Sequence, residues 1–389
     1  MKQYWLLPFQ KPSHRKDWQT QFGYNSQTGV PMTNIWTILQ FVFFFGFLVF
    51  IHELGHFLVA KFVGIEVEEF GFGYPPRLAK LFTWKGTDFT LNWIPFGGFV
   101  RPKGEVDADE PGGLLAAPKW KRFLVLVAGA TMNFIFGILL LIIMFSVAGG
   151  QDTSKVMVVE VSPNSPAQMA GLQAGDIVTG LGEYEIASLD EMVSATSNYL
   201  DEEVELTLIR DGQEQSVSVT PRSNPPENEG AIGFRIGHPV ISLPFGQSVA
   251  QAMKTFWLQV KTTVMIPVNL IQGAISAAEA RVVGIKGIYD IFNNAAQMDQ
   301  SSPMVGLPSF PIYRLSVISM ISIAIGITNL LPIPALDGGQ ILFLLIEAVT
   351  RKRIPDKVAL IINNLFFYAL ILLMIFITIQ DFRNPILTP

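Results

Sequence analysis

The residues most able to do chemistry in this chain are His52-Glu53-Leu54-Gly55-His56. The spacing H-E-x-x-H on a helix places both imidazoles one turn apart on a common face, with Glu53 beside them. Two histidines at that spacing bind zinc, and the glutamate between them serves as a general base. Their setting is unusual. The run from Ile35 to Val63 is otherwise almost wholly apolar and exceeds the roughly 20 residues that a helix needs to cross a bilayer. Ionisable groups at that depth cost roughly 2.5–3.5 kcal/mol each, so they are rare unless function retains them. Zinc changes the balance, because a structural zinc contributes on the order of 10–16 kcal/mol in small peptides. The plainer reading is two histidines making polar contacts within a helix bundle. It explains less, because the apolar setting removes most reasons to keep such side chains.

Half of the 389 residues are hydrophobic and only 15% are charged, which describes an integral membrane protein with room for one soluble domain. A net charge of −5 without a long basic run argues against nucleic acid as a partner. The chain has no cysteine. Disulfides and thiolate metal sites are therefore excluded, and any zinc must be held by His, Asp or Glu. Residues 1–34 are polar and aromatic, without the apolar core of a signal peptide, and read as an N-terminal extension. Met32, directly before the first span, is a second plausible start.

Four membrane spans must position the chemistry: 35–63, 123–147, 314–338 and 359–380. Arg77, Lys80, Lys85, Arg101, Lys103, Lys119, Lys121 and Arg122 separate the first two spans. Arg351, Lys352, Arg353 and Lys357 lie in a loop, 339–358, between the last two. The excess of basic residues puts both connections in the cytoplasm and the long segment from Gly149 to Tyr313 outside it. Residues 64–122 read as a membrane-associated β region. Phe89, Leu91 and Trp93 alternate with Asp88, Thr90 and Asn92, which predicts a strand with one wet face. Ile94-Pro95-Phe96-Gly97-Gly98-Phe99-Val100 is apolar, contains a turn, and is too short to span. Irregular backbone near a membrane needs protein or water to satisfy it, so this piece reads as a hairpin dipping towards the first span. An ordinary amphipathic surface hairpin is the alternative.

Residues 155–222 change character, with short β-rich pieces and turns at proline and glycine. Val156–Val161, Val204–Ile209 and Ser216–Val219 are strand candidates, the last two joined at Asp211-Gly212. The pattern from Ser165-Pro166-Ala167 through Ala170-Gly171-Leu172 to Gly175-Asp176-Ile177-Val178 resembles PDZ domains attached to bacterial proteases. Such a domain binds extended peptides by β-addition, or else only blocks access sterically. Residues 223–313 read as an extracytoplasmic linker. Within it, 249–278 forms an amphipathic interfacial helix, and 293–311 a proline-dotted loop.

The third span runs into Asn329-Leu330-Leu331-Pro332-Ile333-Pro334-Ala335-Leu336-Asp337-Gly338-Gly339. Two prolines break a helix and free carbonyls, which is expected beside a polar cavity. Two histidines, one carboxylate and a water make the usual open catalytic zinc site, so Asp337 is the candidate third ligand for a single Zn2+. The first and third spans both run inward, which brings Asp337 to the end of the membrane that holds His52 and His56. Asn133 in the second span reads by itself as a structural polar contact between helices.

Taken together, these motifs resemble the site-2 protease family. They are HELGH in a first span, a glycine-bearing hairpin, an asparagine in the second span, a PDZ insert and N-x-x-P-x-P-x-L-D-G. The bacterial regulator-of-sigma-E protease branch is the nearest pattern, over about residues 35–380. The resemblance implies a polytopic α-helical membrane protein with a membrane-associated β-sheet and an inserted extracytoplasmic PDZ domain of α+β type. It also implies intramembrane zinc proteolysis of single-pass proteins, namely anti-sigma factors or remnant signal peptides, after an upstream site-1-type protease has acted. The location it implies is the bacterial inner membrane, with the PDZ region periplasmic. It implies further that Asn133 and Asn329 assist near the scissile peptide, and that the hairpin at Gly97 and Gly98 pairs with an unwound substrate strand. Three features depart from the pattern. Gly129-Ala130 stands where Gly-Pro is common, one PDZ copy is recognisable where relatives carry two, and Val282-Val283-Gly284-Ile285 lacks a proline found in a similar family motif. The other readings are a membrane-anchored zinc protease acting on soluble or unfolded segments, and a non-enzymatic PDZ-bearing adaptor or metal-binding protein.

Overall fold

A computed structural model describes residues 35–104, 110–226, 229–276, 281–301 and 310–385. The expected N-terminal extension lies outside them. Helix α1 (Ile35–Val63) covers the whole first predicted span. At 1.5 Å per residue it is about 43 Å long, more than the roughly 30 Å of a bilayer's hydrocarbon.

Strands β1 (Val67–Trp84) and β2 (Thr87–Pro102) follow. Each bends and pairs twice, so that Glu69 faces both Arg101 and Asp88 while Trp84 faces Thr87. The result is a four-limbed antiparallel sheet with the first half of β1 between the two halves of β2. Its polarity corrects the expectation of a wet outer face. Thr90 and Asn92 are 0% and 4% exposed, whereas Leu91 and Trp93 are 39% and 65% exposed. The polar side chains bond inside the sheet, Thr90 to Glu69 and Asn92 to the Gly73 carbonyl. Burial alone would raise the Glu69 pKa, but Thr90, Arg77 and Arg101 outweigh it and hold the carboxyl below its usual range. An outward apolar face suits apolar surroundings, and an inward polar face then needs this internal pairing.

Helix α2 (Lys119–Ala148) begins four residues before the predicted Phe123, adding a basic first turn. The described residues divide into two bodies, one of them Gly149–Leu243. In this body β3 (Gly150–Gln151), β4 (Val156–Val161), α3 (Pro166–Met169), β5 (Ile177–Leu181), β6 (Tyr184–Glu185) and α4 (Leu189–Ser197) come first. They are followed by β7 (Val204–Arg210), β8 (Gln213–Val219), β9 (Phe234–Gly237) and β10 (Val240–Ile241). The sheet order is β8-β7-β5-β4-β9, with β6 on β5 and a separate β3–β10 pair. Ser165 and Ser188 cap the two helices by accepting main-chain N–H groups. Asp211 and Gly212 both have positive φ, as a tight two-residue hairpin turn demands. The body extends past the predicted limit at residue 222, because β9 pairs with β4. A proline-rich connection hides that strand from local pattern.

The second body holds α1, β1, β2 and α2 together with the rest of the chain. Helix α5 (Phe245–Ile271) covers most of the stretch 249–278 expected to be an amphipathic helix, starting earlier and ending at Ile271; residues 277 and 278 lie outside the described residues. Helix α6 (Ile285–Ser301) corrects the predicted loop over 293–311. Ile288, Tyr289, Phe292, Ala295 and Ala296 form an apolar stripe at helical spacing, and Phe292 joins a core with Phe41 and Leu48 of α1 and Leu140 of α2. Residues 302–309 of that predicted loop lie outside the described residues. Helix α7 (Ile312–Asn329) stops well short of residue 338, and this corrects the third span. Pro332 and Pro334 interrupt it, Ala335 takes φ +76°, and a new helix α8 (Asp337–Thr350) occupies most of the predicted loop 339–358. Apolar residues from Ile341 to Ile346 favour that helix over a loop. Helix α9 (Asp356–Arg383) is the last helix among the described residues.

Helices α1, α2, α7 and α9 are each long and apolar enough to cross a membrane. Helix α2 is the centre of the bundle. Ser319 and Ser322 of α7 donate to its Gly137 and Asn133 carbonyls, and Ala252 and Phe256 of α5 bury against its Leu141. Close approach of small and hydroxyl residues is how helices associate where apolar burial gives little drive. No residue in the span window of α9 is fully buried. Its buried Asp381 accepts from the Gly284 and Gly287 N–H groups and from Arg281, and so holds the start of α6.

Candidate active site

His52 and His56 project from α1, and Asp337 from the first turn of α8. The structure brings them to one point. His52 Nε2 lies 3.0 Å from Asp337 Oδ2, His56 Nε2 lies 3.3 Å from the same oxygen, and the two Nε2 atoms are 3.2 Å apart. Ligands about 2.0–2.1 Å from a tetrahedral zinc lie about 3.3 Å from one another. The three atoms therefore match one face of such a tetrahedron, and among the described residues they form the one group of three or more able to hold a metal ion.

The remaining imidazole nitrogens are also engaged. His56 Nδ1 donates to the Val125 carbonyl at 2.7 Å. His52 Nδ1 lies 3.2 Å from the Asn133 amide nitrogen. Both partners are on α2, which passes so close that a Cβ on Gly129 would meet His56 Nε2 at 2.4 Å and His52 Nε2 at 2.6 Å. Glu53 is oriented by the sheet, since the Val100 N–H donates to its Oε2 at 3.1 Å.

Asp337 is positioned by the break after α7. A Cβ on Gly338 would sit 2.2 Å from the Leu331 carbonyl oxygen, and one on Gly339 would sit 2.3 Å from that of Ile333. The two glycines after the aspartate thus let α8 begin hard against the freed carbonyls. The Ala335 N–H donates to Asn363 of α9 at 3.2 Å.

A cavity of about 730 Å³ adjoins the cluster. His52, Glu53, His56, Tyr74, Val100, Asn329 and Asp337 line it, as do Arg122, Glu347 and Arg353. Asn329 donates to its own helix at Ile325 and faces this cavity. Asn133 is fully buried and does not line it. Gly97 has φ +75° and packs on Val49 of α1, one turn before Glu53, while Gly98 packs on the Gly71 carbonyl. Of the sequence-predicted site residues, His52, Glu53, His56, Asn329 and Asp337 line the cavity, while Asn133, Gly97 and Gly98 do not. Sequence reasoning missed Val100 and Val125, which act through main-chain atoms and leave no signature in residue type. It also missed Asn363, although Asn363-Asn364 in an apolar span is a visible signal.

Imidazoles and a carboxylate closing on one point, beside a further carboxylate and inside an apolar helix bundle, define a metallopeptidase type of site. A model of peptidase family M50 matches residues 40–374, and the chain belongs to that family, the site-2 proteases. A Clostridium acetobutylicum protein with a provisional zinc-metalloprotease name is 31% identical over 350 residues, 88% of this chain and 96% of its own. Zinc metalloprotease RasP of Oceanobacillus iheyensis is 28% identical, covering 90% of this chain and 99% of its own. The solved PDZ domain of an SdrC-like protein from Listeria monocytogenes covers 21% of this chain and 87% of its own. Its identity is 19% and its TM-score 0.19, a likeness that carries no argument.

Proposed function

We propose that this chain is an intramembrane zinc endopeptidase that cleaves the membrane segments of single-pass proteins. The observation that carries the reading is the triangle of His52, His56 and Asp337 donor atoms, with both histidines and Glu53 on α1, a helix apolar enough to span a bilayer. His52, His56 and Asp337 hold one zinc ion, and Glu53 is the catalytic residue. Zinc bound there supplies Lewis-acid polarisation of a water and of the scissile carbonyl. Glu53 takes a proton from the attacking water and delivers it to the leaving amine. The Val100 N–H holds one Glu53 oxygen, and Glu53 lines the cavity. Asn329 lies where it can donate to the substrate carbonyl, and the sheet limb around Gly97 and Gly98 receives an extended substrate strand.

In this reading the chain is a multi-pass protein of the bacterial inner membrane, with residues 64–122 and 339–358 cytoplasmic, and four helices long and apolar enough to cross a bilayer support it. Residues 155–241 form a periplasmic PDZ domain. The substrates in this reading are anti-sigma factors or signal-peptide remnants already shortened by another protease.

The test is Glu53→Gln in full-length protein purified in detergent. One zinc per chain should remain, while cleavage of a model single-pass substrate falls by about 10²–10⁴-fold, the usual worth of a general base. Chelation should abolish wild-type cleavage, and added zinc should restore it. Undiminished cleavage by the Gln variant would sink the proposal.

A further inference from the structure

We infer that Asn133 is a positioning residue for His52, its side-chain oxygen accepting the Nδ1 proton and so fixing the ring tautomer that leaves Nε2 open to the metal. The inference rests on the zinc reading above.

Three observations support it. Asn133 is fully buried, lies 3.2 Å from His52 Nδ1 and does not line the cavity. Substrate contact is therefore not what its side chain is placed to make. Its Oδ1 has no hydrogen-bond partner. The amide can be turned over, because its oxygen and nitrogen are assigned from the bonds they make. Turned over, Oδ1 takes the place beside Nδ1, where a metal-ready imidazole needs an acceptor. Finally, His56 shows the same logic with a different group. Its Nδ1 donates to the Val125 carbonyl, which can only accept, and that leaves Nε2 as the free donor atom.

Val125, Gly129 and Asn133 are spaced i, i+4, i+8 and form one stripe of α2. The first residue orients His56 and the last orients His52, while Gly129 leaves the clearance between them. Ser322 donates to the Asn133 main-chain carbonyl and ties this turn to α7. Groups that orient metal-ligating histidines in this way typically change metal affinity 10–100-fold when removed.

The experiment measures zinc affinity of the full-length protein by chelator competition, with wild type, His52→Ala, Asn133→Leu and Asn133→Asp. Asn133→Leu should bind zinc about 10–100-fold more weakly. Asn133→Asp, which keeps an acceptor, should stay close to wild type. A second readout is ring-nitrogen NMR of histidine-labelled, zinc-free protein, manageable because the chain has four histidines. His52 should carry its proton on Nδ1 in wild type and in Asn133→Asp, and should populate both tautomers in Asn133→Leu. Wild-type zinc affinity in Asn133→Leu, with or without loss of cleavage, would overturn the inference and leave the zinc reading standing. Wild-type zinc binding unaffected by His52→Ala would overturn both.

Discussion

At the scale of single residues, the site is a matter of clearance as much as of donor atoms. Gly129 has no side chain, and the space where a Cβ would stand is filled by two imidazole nitrogens. Gly129→Ala should therefore push at least one histidine out of the triangle. We expect stoichiometric zinc in the wild type and little in the variant, measured by metal analysis, while the helical circular dichroism stays unchanged. The proposed ligands themselves were legible in the sequence. H-E-x-x-H declares two histidines and a base, and the missing third ligand points to a carboxylate in another span. Val100 and Val125 were not legible, because any residue supplies the same main-chain groups and only tertiary packing selects these two. The glycine at 129 was visible, but the reason for it lies on a different helix.

At the scale of elements, sequence periodicity set strand positions well and faces poorly. The alternation around Phe89–Trp93 predicts the sheet, yet the usual assumption of water outside inverts it. The same assumption does not disturb the Gly149–Leu243 body, whose cores and caps follow ordinary patterns. Within that body Asp176 is buried, which by itself would raise its pKa. The Arg210 guanidinium and the Gln173 N–H outweigh the burial and hold it below the usual carboxylate range. A carboxyl with its folded pKa depressed contributes stability above its unfolded value, about 3.9. That contribution is lost as pH falls through the folded value. Asp176→Asn should accordingly destabilise this body at pH 7 and cost less at pH 3. Hydrogen exchange of the β5 and β7 amides in the full-length protein at the two pH values is the check. Equal losses at both would refute the argument. The third span shows another limit of local reading. The two prolines announced a break, but the helix after it was hidden by basic residues that also suit a loop.

At the scale of the whole molecule, a large apolar surface is left uncovered by the chain's own packing. No residue in the span window of α9 is fully buried, and the sheet limbs 77–84 and 87–94 display Leu81, Phe82, Trp84, Leu91 and Trp93. Surface of that extent needs a partner, and lipid is the one that four long apolar helices supply. In protein reconstituted into vesicles, a variant keeping Trp93 as its single tryptophan should be strongly quenched by lipids brominated along the acyl chain. Quenching no greater than that of a free indole in water would place the sheet outside the bilayer.

The hydrogen bond from the Val100 N–H to Glu53 has a consequence for selectivity. Under the proposed function, the group that moves the proton takes its aim from the main chain of β2, a strand that is itself part of the cavity wall. A chain entering the cavity that displaces this strand meets a disarmed glutamate, and one that leaves it seated meets an armed one. Discrimination between guests is then exercised by the state of the trigger, independently of how tightly each guest is held.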